Sequence, residues 1–76
     1  MSPKLPVLSG DDLIKALKKF GYEPVRQEGS HVRLRHSSEP QRHPLTVPKH
    51  KTLKPGLVRR ILRDARISVQ ELVDVL

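Results

Sequence analysis

Apolar residues at Leu13, Ile14, Leu17 and Phe20 recur at the spacing of one helix face, and Leu8, Ser9 and Asp12 stand just before them. Ser9 can cap the free amides, Asp12 occupies the capping-box position and Leu8 can staple onto Leu13, so a first helix starts here. Gly21 suits a left-handed stop. From Tyr22 the period falls to two. Val25 and Gln27 alternate with Arg26 and Glu28, Gly29-Ser30 interrupts, and Val32 and Leu34 then alternate with His31, Arg33 and Arg35. This predicts a hairpin closed by a type II′ turn, whose first central residue needs positive φ. The register puts Glu28 opposite His31 and Arg26 opposite Arg33 on one face. Gln27 then faces Val32 and Val25 faces Leu34 on the other, which is assigned to the core.

The polar, proline-bearing stretch 37–44 reads as a loop before a third strand, Leu45-Thr46-Val47, closed by Pro48. Leu45 and Val47 face the core. Pro55 opens a second helix, where Leu57, Val58, Ile61, Leu62 and Ala65 form an apolar stripe and Arg59, Arg60, Arg63 and Arg66 occupy the opposite face. Ser68 and Glu71 repeat the capping-box pattern, which predicts a terminal helix from Val69 to Val75 that packs Leu72 and Val73. The expected class is α+β in the order α-β-β-β-α(-α): a three-stranded antiparallel sheet with helices packed on one face. The other sheet face then presents His31, Arg26, Arg33, Arg35 and Thr46 to solvent.

Seventy-six residues suffice for a single domain over 1–76 with one thin core, residues 1–8 reading as a flexible N-terminal segment. No cysteine is present, so disulfides, thiolate metal sites and a cysteine nucleophile are excluded. The N-terminal stretch is broken by Pro3 and Pro6 and does not read as a signal peptide, no segment reads as membrane-spanning, and a cytoplasmic location is expected. The net charge of +7 is concentrated between Arg26 and Arg66, where 11 basic residues meet 3 acidic ones. Such a concentration captures polyanions, which makes nucleic acid the first partner to consider. Aromatic residues are limited to Phe20 and Tyr22, both assigned to the core region, so any grip on RNA must rest on charge and shape rather than base stacking.

His31 is the strongest candidate for chemistry, since it leaves a tight Gly29-Ser30 turn onto the solvent face among arginines that can hold a phosphate. RNA is cut without metal when a base removes the 2′-OH proton, the oxygen attacks phosphorus, and an acid protonates the leaving oxygen. Histidine can do either, whereas DNA lacks the nucleophile. Glu28, across the hairpin, is a candidate orienting residue for the imidazole. Arg26, Arg33, Arg35, Lys49, His50 and Lys51 are candidate RNA contacts. His36, His43 and His50 lack close metal-ligand spacing, and no metal or other cofactor is expected. Paired carboxylates, a Walker-type loop and a nucleophile elbow are absent from the sequence.

Three blocks of the chain, in order, are familiar together: GY with VRQEGSHVRLRH, then LTVPKHKTLKPG, then VRRILRDARIS. They resemble the HicA toxin family across nearly the whole chain, through Gly29-Ser30-His31, Val47-Pro48-Lys49-His50 and Lys54-Pro55-Gly56 leading into Ile61-Leu62. The resemblance implies a fold like the double-stranded RNA-binding domain, cleavage of messenger RNA, and inhibition by a HicB-type antitoxin protein that covers the active-site region. It maps the family's catalytic histidine onto His31, with Gly29 and Ser30 shaping the turn. Leu34 stands where family members often carry an aromatic residue, and it still satisfies an inward apolar position. The alternative of another class is a non-catalytic RNA-binding module of the same fold, with a basic DNA-binding or ribosome-associated protein as a third reading. An adjacent reading frame for an antitoxin-like protein would favour the first.

Overall fold

A computed structural model describes residues 4–76; of the segment expected to be flexible, residues 1–3 lie outside the described residues. Ser9 caps α1 (Gly10–Lys19): its hydroxyl accepts from the Asp12 amide, and the Asp12 carboxylate accepts from the Ser9 amide. Two orphan donors at the helix start are thereby satisfied. The helix buries Leu13, Ile14, Ala16 and Leu17, and Gly21 beyond its end has a φ of +95°. Three antiparallel strands follow, β1 (Tyr22–Glu28), β2 (His31–His36) and β3 (Leu45–Pro48), with β2 in the centre. Pro55 starts α2 (Pro55–Ala65), and a second capping box, Ser68 with Glu71, starts α3 (Val69–Val75).

The α+β order, the three-stranded antiparallel sheet and the single layer of helices agree with the sequence pattern and with the double-stranded RNA-binding-domain type of fold. Val32, Leu34, Leu45, Val47 and Tyr22 form the inner sheet face, against Leu13, Leu17, Val58, Leu62, Ala65 and Leu72 from the helices. The opposite face carries exposed His31, Arg35 and Thr46 with half-buried Arg33. No buried side-chain polar atom is left without a partner among the described residues.

Two packing assignments need correction. The hairpin has the expected pairs Glu28↔His31, Gln27↔Val32 and Arg26↔Arg33, but Leu34 pairs with Pro24 rather than Val25. A β-bulge between Pro24 and Arg26 inserts Val25 as an extra residue, so the strict alternation fails and Val25 is 54% exposed. Proline lacks the ladder N–H, which makes this edge strand a natural place for the irregularity. Gln27 is also exposed, its amide donating to the Gly29 carbonyl, and Tyr22 alone of β1 is buried. In α3, Leu72 is buried as expected, but Val69 and Val75 join it against the core instead of Val73. They lie three residues either side of Leu72, on its face of the helix, while Val73 is rotated about 100° away.

The loop 37–44 is held at both ends. The buried His36 ring lies 2.9 Å through Nε2 from the Phe20 carbonyl, and its Nδ1 accepts from the amides of Ser38 and Glu39. These partners assign the proton to Nε2. Arg42 donates to the Glu39 carboxylate and to the Ala65 carbonyl at the end of α2. The loop thus delivers β3 to the outer side of β2.

Candidate active site

Gly29 adopts a φ of +58° and Ser30 does not share the positive φ, the combination that a type II′ turn requires. His31 therefore becomes the first residue of β2, exposed, with Glu28 across from it on one side and Pro48 on the other. Because β2 is the central strand, neighbours on both sides fix the backbone that carries the imidazole.

The segment after β3 is tied to the same turn. The Lys49 amide donates to the Ser30 carbonyl at 2.6 Å, and the Gly10 amide donates to the His50 carbonyl at 2.9 Å. A Cβ built on Gly10 would lie 2.0 Å from the Pro48 carbonyl oxygen, so the start of α1 rests directly on this backbone. The Lys49 ammonium adds an ion pair with Asp11 at 3.6 Å.

An open groove of about 630 Å³ runs from His31 along β3 and across to α2. Leu45, Leu53, Leu57 and Ile61 contribute apolar surface, while His31, Arg33, His50, Lys54 and Arg60 supply basic groups. Asp64 is its one carboxylate, against three permanent cations, so the groove favours an anion. Arg33 is held on the sheet by a 3.1 Å hydrogen bond to the Thr46 hydroxyl. His43 lies at the other end of β3, where its Nδ1 is 2.7 Å from the Pro44 carbonyl.

The structure thus brings His31, Arg33 and His50 together. Arg26 and Arg35 are exposed on the strands away from the groove lining, as is Lys51 beyond β3, and Lys49 is turned to Asp11. The Glu28 carboxylate pairs with Arg26 at 3.1 Å along its own strand, both side chains about 70% exposed. Lys54 joins the lining without having stood out in the sequence, and Arg60 parts from the other arginines of α2 to do so. The signal for Arg60 was present: Leu57, Arg60, Ile61 and Asp64 follow the i, i+3, i+4, i+7 spacing of one helix stripe. Lys54 carried none, since its place depends on how α2 crosses β3.

Among the described residues, no group of three or more metal-ligating side chains is gathered, and no helix is long and apolar enough to cross a membrane. Residues 10–67 match the family model described as HicA toxin of bacterial toxin-antitoxin. No curated protein and no solved structure matches the chain.

Proposed function

Because the chain belongs to the HicA toxin family of bacterial toxin–antitoxin systems, we propose that it is a metal-independent endoribonuclease that cleaves messenger RNA with His31. The observation that carries this reading is an exposed histidine at the end of a groove whose permanent charges are Arg33, Lys54 and Arg60 against Asp64. Guanidinium and ammonium groups hold the phosphodiester and offset the charge that grows on its oxygens as the 2′-oxygen attacks. His31 transfers a proton in that step. Gly29 and Ser30 set its place through the turn, and Glu28 across the strand is assigned the lesser role of steadying it. Arg26, Arg35, Lys49 and Lys51 extend the positive surface for RNA beyond the groove.

The partner that silences this activity is a HicB-type antitoxin protein covering the groove, and the substrate implies action in the cytoplasm. Incubation of the purified chain with RNA in EDTA, beside His31→Ala, tests the assignment. Cleavage by the wild type is expected to fall by about 10² to 10⁴ in the variant with an unchanged circular-dichroism spectrum, as loss of a proton-transfer group predicts. Equal cleavage by both proteins would remove His31 from the mechanism. Binding without cleavage by the wild type would favour the RNA-binding module. Glu28→Gln is expected to lower the rate modestly.

A further inference from the structure

Transfer of a 2′-oxygen to phosphorus needs two proton movements, one from the nucleophile and one to the leaving group, and a single imidazole aligned for the first is not aligned for the second. The groove that His31 lines is also lined by His50, which the chain reaches just beyond the strand partner of His31. Pro48 is the strand partner of His31, and His50 follows it by two residues. At strand spacings this sets the two backbones on the order of 10 Å apart, a span that imidazoles reaching inward from each side can close around one phosphodiester. His43 lines the same groove but sits beyond Leu45, which pairs with Leu34 rather than His31, and its ring is engaged with Pro44.

The placement of His50 is specific. It stands two residues beyond the buried Pro48, its carbonyl accepts from the Gly10 amide, and the amide of Lys49 before it donates to the turn that launches His31. Gly10 gives this packing its closeness, because any side chain there would strike the Pro48 carbonyl. The chain thus fixes the backbone of residues 48–50 against both the β1–β2 turn and the start of α1, while the His50 side chain stays exposed and lines the groove.

We propose that His31 and His50 form an acid–base pair on the scissile phosphodiester, an inference that rests on the ribonuclease reading above. One imidazole takes the 2′-hydroxyl proton as the 2′-oxygen bonds to phosphorus. The other, as imidazolium, gives its proton to the 5′-oxygen as the P–O5′ bond breaks. The products are a 2′,3′-cyclic phosphate and a 5′-hydroxyl, and no electron or further reactant is needed.

The test compares wild type, His31→Ala, His50→Ala and His50→Gln on an ordinary RNA and on the same RNA carrying a bridging 5′-sulfur at the cleavage site. A thiolate leaves without protonation, so the sulfur substrate replaces the acid and not the base. Both histidine positions are expected to lose about 10² to 10⁴ in rate on ordinary RNA. The sulfur substrate should restore cleavage at only one of the two positions. His50→Gln keeps a polar side chain and should behave as His50→Ala, which separates lost proton transfer from lost structure. Wild-type rates in the His50 variants, or rescue at both positions or at neither, would overturn the pair. Failure of the wild type to cut either substrate would overturn the ribonuclease reading itself, and the pair with it.

Discussion

Tyr22 shows how much one side chain can hold. It is fully buried, packs edge-on to the His36 ring at 5.2 Å, and donates its hydroxyl to the His43 carbonyl at 3.1 Å. Burial raises its pKa above the usual 10.0, opposed by the positive field of Arg42. A raised folded-state value means that the folded protein holds the phenol proton more tightly than the unfolded chain does. The contribution is therefore complete below pH about 10 and is lost as pH climbs through the folded-state value. Tyr22→Phe should cost about 1 kcal/mol at neutral pH, from the lost hydrogen bond. It should also flatten the decline in stability above pH about 10, which urea titrations of both proteins at pH 7 to 11 would measure. Parallel declines would place the alkaline limb on the lysines instead.

At the scale of elements, the hairpin depends on one backbone angle. A Cβ on Gly29 would have nothing within 4 Å, so the requirement for glycine comes from its φ of +58° and not from space. Gly29→Ala is expected to destabilise the fold by about 1 to 2 kcal/mol, the cost of a left-handed L-residue. Gly29→Asn should cost less despite its larger side chain, because asparagine tolerates that region. Equal losses in chemical denaturation would point to crowding instead. Features of this local kind were legible in the sequence: both capping boxes, the Gly29-Ser30 turn, Pro55 at the start of α2, and the three hairpin pairs nearest the turn. The bulge at Val25 was not, since alternation continues through it on paper and only the pairing with β2 shows the extra residue. Val73 lost its place to Val69 and Val75 because the direction from which α3 meets the core is a tertiary property. His31 and His50 stand apart in the sequence, and their shared groove depends on hydrogen bonds from Lys49 to Ser30 and from Gly10 to His50, which join parts of the chain distant in sequence.

Over the whole molecule, the net charge of +7 attracts polyanions in general, while the groove gathers only some of that charge where cleavage is proposed. The two contributions separate by their salt dependence. Each phosphate neutralised on a single strand adds about 0.7 to the slope of log affinity against log salt, whatever the base sequence. Lys54 and Arg60 approach the groove from the start and the middle of α2, outside the sheet, and Arg33 faces them from β2. A strand seated between them must contact both sides. Lys54→Ala with Arg60→Ala should therefore make the slope shallower by about 1 to 1.5, and adding Arg33→Ala should extend the change. Arg59→Ala, on α2 but outside the groove lining, should alter it less than either. The measurement uses the His31→Ala background, so that binding is read without cleavage, with a short single-stranded RNA from low to moderate salt. A slope that responds to Arg59 as strongly as to Arg60 would mean that RNA rides on the exposed arginines of α2 generally. The groove would then have to take its substrate without a defined path for the backbone, and the approach of a phosphodiester to His31 and His50 would lose its physical basis.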